Sequence, residues 1–225
     1  MSTHINALDS IRRALMTRLP GATDDLVNQE LRWALQEFLS FTQVWRTTET
    51  SPLVDGVTDY QIPMNVGNPS AVAETILAGW VVRPAPDAGN VSLRVAVDLS
   101  VELALMSTAG TPDRVELVAG THLRVSPRPD AQISAGGSLV AYLVMSLDPS
   151  LPLTELPASV IPYTDAILSG TLARMHAMDA KPWTSPILVR FHTGRFHAMK
   201  TNARAAANAG RSNQAAPRRF PRFGA

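Results

Sequence analysis

The sequence of 225 residues contains no cysteine, which excludes a disulfide framework and any metal site built on thiolates. Charged residues make up only 17% of the chain and hydrophobic residues 45%, a balance typical of a globular protein. No apolar run reaches the length of about 18 residues that would predict a membrane-spanning helix. The segment from Met1 to Pro20 also lacks the apolar centre of a signal peptide. These absences indicate a globular protein that suits a reducing compartment.

Acidic residues are missing from the end of the chain. After Asp179 all nine charged residues are Lys or Arg, which gives this part a charge of +9. The part up to Ala180 holds the other eleven basic side chains and every acidic one, a net charge of −8. Such a split suggests that the C-terminal part binds something acidic. The alternative is a solvated basic tail with no partner.

Apolar residues at a spacing of three or four predict two helices at the N-terminus. The first spans Asn6 to Leu19, and Thr23 is placed to cap the second. We expect the final residue of the second stripe, Trp45, to be buried where this helix meets the following β region. The predicted buried stripe of the second helix consists of Val27, Leu31, Ala34, Leu35, Phe38, Phe41 and Trp45.

Two further helices are predicted near the C-terminus. The third follows Pro157, and its small residues, including Gly170, would let another helix approach closely. The fourth begins at Ser185-Pro186, with Ser as the cap and Pro at the first helical position. The residues of the fourth helix expected to face inward are Ile187, Phe191, Ala198 and Ala205. Residues 211–225 have no periodicity and are predicted to be disordered when alone.

Between these helical regions the sequence predicts seven or eight short strands. Asp55-Gly56 is flanked by two β-prone segments and predicts a hairpin, and Ala119-Gly120 predicts a second one. The strands are predicted at Thr47–Val54, Val57–Ile62, Ala71–Arg83, Val91–Val97, Val101–Met106, Arg114–Val118, His122–Ser126 and Ser138–Leu147.

The fold class predicted from these patterns is α+β. Helix pairs from the two ends of the chain would form a four-helix bundle of residues 1–46 and 157–210. Residues 47–156 would form an inserted antiparallel domain that resembles a β-sandwich or a barrel. Residues 211–225 would form an extended, flexible and basic C-terminal arm.

Signatures of catalysis are absent from the sequence. There is no Gly-rich phosphate loop and no Gly-x-Ser-x-Gly motif. His192 and His197 are five positions apart, which puts them on different sides of a helix and places them poorly to share a metal. The sequence therefore predicts no catalytic residues, no cofactor and no metal. An unrecognised enzyme such as a hydrolase stays an alternative, because a triad can be assembled from distant residues.

Four segments together resemble one family. They are Glu37-Phe38 through Trp45-Arg46 with Val54–Pro63; Leu123–Pro129; Leu156-Pro157 through Tyr163 and Gly170; and Lys181-Pro182-Trp183 with Pro186, Phe191 and Phe196. In order and spacing this set is similar to head-to-tail adaptor (connector) proteins of podovirus-type bacteriophages. The resemblance covers about residues 30 to 205, but residues 64–113 contribute nothing to it.

The resemblance implies a non-enzymatic virion protein of the phage neck that is present in the host cytoplasm before assembly. It implies a homo-oligomeric ring of twelve copies, docked under the portal protein ring and above a tail nozzle or tail tubular protein. Viral DNA would pass through this channel during packaging and ejection without sequence-specific binding, and no membrane is involved. The C-terminal arm would bind the portal, and its expected contact residues are Arg211, Arg218, Arg219, Phe220, Arg222 and Phe223.

A nucleic-acid-binding protein is the main alternative function. In that case the basic C-terminal tail would neutralise phosphates, and binding of the isolated tail to DNA would weaken as salt rises.

Overall fold

The structure, a computed structural model, describes residues 6–62, 71–83, 89–95, 109–148 and 150–212. The chain divides into two compact units. The helical unit consists of Met1–Val44 and Ser159–Ala225, and the β unit consists of Trp45–Ala158. The α-helices are α1 (Ala7–Arg18), α2 (Asp24–Thr42), α3 (Ala131–Ser134, in the β unit), α4 (Thr164–His176) and α5 (Pro186–Ser212). A 3-10 helix (Ala158–Tyr163) leads into α4.

Helix α2 follows the amphipathic pattern of its sequence. Thr23 occupies the N-cap position, although its side chain makes no capping hydrogen bond there. The helix ends at Thr42, and Gln43 caps it with a left-handed backbone (φ 54°) and an N–H that donates to the carbonyl oxygen of Leu39. The buried residues are Val27, Leu31, Ala34, Leu35, Phe38, Leu39 and Thr42. Most of the predicted stripe is therefore confirmed, while Phe41 is half-buried and Trp45 lies beyond the helix.

The predicted four-helix bundle is wrong. Helix α4 is buried on most of its circumference and packs against both α2 and α5, whereas α1 makes smaller contacts with α2 and α4. Helix α5 has 27 residues and α1 only 12. At about 1.5 Å per residue, α1 covers less than half the length of α5, so the two helix pairs cannot match along a common bundle axis.

The β unit contains a seven-stranded sheet in the order β1-β9-β3-β4-β6-β7-β2. The strands are β1 (Arg46–Pro52), β2 (Asp59–Gln61), β3 (Ala71–Val82), β4 (Val91–Val95), β5 (Ala109–Gly110), β6 (Arg114–Val118), β7 (His122–Ser126), β8 (Arg128–Pro129) and β9 (Ser138–Leu147). The prediction that this domain is entirely antiparallel is wrong. Strands β4 and β6 run parallel, so the sheet is mixed. A separate parallel pair joins β5 and β8.

The predicted Asp55-Gly56 hairpin is also wrong. Strand β1 pairs with β9 and β2 pairs with β7, so the two strands form opposite edges of the sheet. Seven residue steps from Pro52 to Asp59 span at most about 25 Å, and a flat sheet of seven strands would be about 29 Å wide. The sheet must therefore curl towards a nearly closed barrel.

The second predicted hairpin is confirmed. Strands β6 and β7 pair antiparallel, and the turn between them has positive φ at both Ala119 (50°) and Gly120 (71°). This is the backbone that a tight two-residue hairpin turn requires. A Cβ on Gly120 would lie 2.8 Å from the carbonyl oxygen of Ala73, so only glycine fits there. The predicted strand at Val101–Met106 lies outside the described residues.

Candidate interaction surfaces

Metal-ligating side chains do not cluster in the part of the chain that the structure describes. Those residues contain no group of three or more His, Asp or Glu side chains that could hold a metal ion. Among the described helices, none is long and apolar enough to cross a membrane. A cavity of about 320 Å³ between α1 and α4 is lined largely by apolar and small residues. Its one carboxylate, that of Asp165, pairs with Arg195 at 3.6 Å.

Two ion pairs fasten α2 to the C-terminal helices. Arg174 on α4 donates from Nε to Oε2 of Glu30 at 2.6 Å, and Lys200 on α5 donates to Glu37. Lys200 is 3% exposed, so its charge is buried and needs this partner. Its ammonium group also lies over the rings of Phe196 and Phe41, at 4.4 and 5.2 Å.

Gly170 lets α4 and α5 approach closely, as the small residues of the third predicted helix suggested. A Cβ placed on Gly170 would lie 2.9–3.1 Å from three ring atoms of Phe196. Real Cβ atoms do not approach aromatic carbons so closely, so Phe196 occupies the space that the missing side chain leaves. The glycine is therefore part of the packing that positions Phe196 beside Lys200.

A shallow groove opens on the outer side of α2, next to the first ion pair. Its volume is about 250 Å³, and its lining residues are Trp33, Gln36, Glu37, Ser40 and Arg174. Trp33 is 50% exposed, and the Arg174 guanidinium lies 5.8 Å from the centre of its ring. We call this feature the Trp33 groove. In the sequence, only the position of Trp33 outside the predicted apolar stripe of α2 indicated that its side chain faces outward.

The outer face of α5 contradicts the expectation from its sequence. Ile187, Phe191, Ala198 and Ala205 were predicted to face inward, and all four are exposed. Ile187 is 79% exposed and Phe191 57%. We call these four residues the α5 outer face. The side of α5 that packs against the rest of the helical unit carries instead His192, Phe196, Lys200 and Ala203.

A pair of histidines lies in the interior of the helical unit. The rings of His176 and His192 are stacked with their centres 5.7 Å apart, and both side chains are buried. Nδ1 of His176 is 2.6 Å from the carbonyl oxygen of Trp183, whereas Nδ1 of His192 has no hydrogen-bond partner among the described residues. Burial lowers the pKa of His192, and electrostatic interactions with His176, Arg18 and Arg195 lower it further. The two histidines lie on different helices, α4 and α5, and no motif announced their pairing.

Hydrogen bonds hold one loop of the β unit in place, although the tip of the loop is exposed. The Tyr60 hydroxyl accepts from the N–H of Val54 at 3.2 Å and donates to the carbonyl oxygen of Val57 at 3.0 Å. Gly56, with φ 74°, donates its N–H to Pro129. Val54 and Val57 nevertheless present 49% and 36% of their surface to solvent. The Asp55-Gly56 segment therefore forms a fixed, partly apolar loop instead of a hairpin turn.

The predicted portal-contact residues lie almost entirely outside the part of the chain that the structure describes. Arg211 lies in the last turn of α5, and its side chain is outside the described part of the chain. Arg218, Arg219, Phe220, Arg222 and Phe223 also lie outside the described residues. Their role stays a prediction.

Comparison with known proteins identifies the family of the chain. A search among curated proteins found no match. The family described as SU10 adaptor protein matches residues 5–220, which is nearly the whole chain. This match supports a bacteriophage adaptor but leaves the podovirus type suggested by the sequence motifs untested. The chain belongs to the SU10 adaptor protein family.

Proposed function

We propose that the chain is a structural subunit of a phage head-to-tail adaptor that forms a ring between the portal and the tail. The observation that carries this proposal is the family match over residues 5–220. The exposed α5 outer face and the Trp33 groove support it, because a ring subunit needs apolar surface for its neighbours.

The C-terminal arm is proposed to be the portal anchor. It combines Arg218, Arg219 and Arg222 with two aromatic residues, Phe220 and Phe223, and no acidic residue. An acidic, pocketed groove on the portal would pair the guanidinium groups and bury both rings. Burial of two Phe side chains is worth roughly 3–6 kcal/mol before the cost of ordering the arm. That cost takes back part of the gain.

The test is docking to purified portal rings, measured by co-sedimentation and electron microscopy of the mixture. The full chain should appear as extra density under the portal, and a chain that ends at Gly210 should lose most of this binding. Replacing Phe220 and Phe223 with Ala while keeping every Arg separates burial from charge. If the full chain does not bind portal rings, the proposed position in the neck is wrong.

The channel of the ring is proposed to tolerate DNA without holding it. The part of the chain up to Ala180 carries a net charge of −8, so a wall built from it would repel phosphates. A chain that ends at Gly210 should therefore show no tight DNA binding at about 0.15 M salt, where the Debye length is about 8 Å. Retention of DNA by this truncated chain would contradict a channel that lets DNA slide past.

Nucleic-acid binding by the basic end is the second candidate function. The observation that favours it is the charge of +9 after Asp179. The two functions differ in how binding depends on salt, since log K for DNA falls linearly with log salt as counterions are released. Titration of a labelled peptide of residues 211–225 with duplex DNA across salt concentrations would measure this slope. Tight, salt-dependent binding by the peptide together with no portal docking by the chain would favour this candidate.

A further inference from the structure

We propose that the α5 outer face of one copy packs into the Trp33 groove of the next copy, in a head-to-tail contact. This inference rests on the proposed ring function and names the surfaces that would join its subunits. It commits to a second copy of this chain as the occupant of the groove.

The α5 outer face points away from the interior of its own subunit. Ala198 is two positions from both Phe196 and Lys200, which are buried, and two residues turn a helix by about 200°. Ile187 and Phe191 lie on the same outer side and carry most of its apolar surface. Ala198 and Ala205 continue the face with small side chains, which allow another helix to come close. The α5 outer face thus has two large apolar side chains, Ile187 and Phe191, at one end and two small ones, Ala198 and Ala205, towards the other.

Charge favours α2 as the partner of this face. Helix α5 contains no acidic residue, and Arg190 and Arg204 are among its exposed basic residues. Its Lys200 is buried against Glu37, and Arg195 pairs with Asp165, so these two charges are already partnered within the subunit. Helix α2 contains four acidic residues and one basic residue, a charge of −3. Two of its acids, Asp24 and Asp25, are exposed, and the Glu37 side chain keeps 45% of its surface exposed although it pairs with Lys200. Opposite charges on two helices that meet steer the association and fix its register.

The Trp33 groove is large enough for a side chain of the α5 outer face, and Trp33 gives it one apolar wall among four polar residues. Its volume of about 250 Å³ gives room for one large side chain. Trp33 offers an aromatic wall that is half exposed, and aromatic residues seated in pockets carry much of the binding energy of interfaces. Phe191 is the largest exposed side chain of the α5 outer face, and we assign it to this groove.

The positions of the two surfaces suit a head-to-tail contact. The groove lies on α2 beside α4, whereas the α5 outer face points away from the side of α5 that packs on the rest of the unit. Each copy therefore has one donor surface and one acceptor surface. A contact between two different surfaces is heterologous and repeats from copy to copy, and it gives a ring when the rotation closes.

The test uses disulfide cross-linking of the full chain, because the sequence has no cysteine of its own. Ala198→Cys places a thiol on the α5 outer face, and Ser40→Cys places one on the rim of the groove. Both changes are small, and both positions are exposed. The two purified single variants are mixed and oxidised. We expect a mixed covalent dimer, and the double variant should give a ladder of covalent oligomers.

Matched controls distinguish this contact from random collision. Each single variant oxidised alone should give at least tenfold less dimer than the mixture, and adding Phe191→Glu to the Ala198→Cys chain should reduce the mixed dimer at least tenfold. As a control at an unrelated position, Thr17→Cys, exposed on α1, replaces Ala198→Cys.

The proposal is overturned if the mixture gives no more mixed dimer than this control. It is also overturned if Ala198→Cys couples efficiently to itself, which indicates a symmetric α5 contact. Portal docking is measured separately, so normal docking without cross-linking would reject this interface and leave the proposed function standing.

Discussion

Helices α2 and α5 are both amphipathic, yet spacing identified the buried side of only one of them. In α2 the stripe from Val27 to Phe38 is the buried stripe. In α5 the apolar residues picked by spacing are exposed, and the inner side holds His192 and Lys200 instead. Periodicity therefore locates an apolar face but does not tell whether that face packs inside its own chain. A buried Lys on α5 was possible because α2 supplies Glu37 as its partner.

Removal of one aromatic ring from each helix tests this difference between α2 and α5 most directly. Phe38 on α2 is fully buried, and Phe38→Ala should lower the free energy of unfolding by about 3–5 kcal/mol through lost contacts and a cavity. Phe191→Ala on α5 should change it by less than about 1 kcal/mol, because 57% of Phe191 is already exposed to water. Denaturant titration at submicromolar concentration, where self-association is avoided, measures both. Equal losses would mean that the α5 outer face is packed within the chain.

Trp45 is a buried aromatic residue that lies beyond the end of α2. It follows the spacing of the α2 stripe, but the helix stops at Thr42, and Trp45 immediately precedes β1. Its side chain is 8% exposed, and its carbonyl oxygen accepts from the N–H of Met145 on β9 at 2.8 Å. Trp45→Ala should cost about 3–5 kcal/mol in denaturant titration, as truncation of a buried Trp does. A loss below about 1 kcal/mol would show that the indole is solvated.

Two helical glycines test the packing between α4 and α5. Gly170→Ala puts a Cβ against the ring of Phe196, and such overpacking costs about 1–3 kcal/mol. Better helix propensity returns about 1 kcal/mol, so the net loss should be no more than about 2 kcal/mol. The matched control is Gly194→Ala, where no atom lies within 4 Å of the new Cβ. This control should gain up to about 1 kcal/mol in the same thermal or denaturant measurement. Stabilisation by both changes would show that Phe196 moves aside freely.

The sequence predicted the positions of helices and strands better than it predicted which strands pair. The four long helices and most of the longer strands of the described residues were located within a few positions, because capping residues, prolines and apolar spacing act over short distances. The short elements α3, β5 and β8 were not predicted. Strand partners depend on the whole sheet, and the predicted pairing of the two strands around Asp55-Gly56 was wrong. Asp55-Gly56 has the composition of a hairpin turn, but Tyr60 and Pro129 hold the loop in another path between opposite edges of the sheet.

The interaction surfaces were harder to predict for the same physical reason. The Trp33 groove and the histidine pair join residues from different helices, and no short motif encodes such a meeting. Gly170 was the exception, since a glycine and several alanines on one predicted helix indicated a close helix contact. The family resemblance came from ordered motifs along the chain, and the match to SU10 adaptor proteins confirms it at the level of a phage adaptor family.

The smallest predicted effect concerns pH and the inner side of α5. Burial lowers the pKa of His192 in the folded chain, and electrostatic interactions with His176, Arg18 and Arg195 lower it further. The unfolded chain therefore binds a proton more readily than the folded chain as pH falls below about 6.5, the ordinary pKa of histidine. In that window, down to the folded pKa, stability declines as pH falls, by at most about 1.4 kcal/mol per pH unit for one proton. Denaturant titrations at several pH values between 7.5 and 5 would follow this loss. His192→Gln removes the titrating group and should flatten the profile in that window, whereas an equal slope in both proteins would assign the loss to other groups.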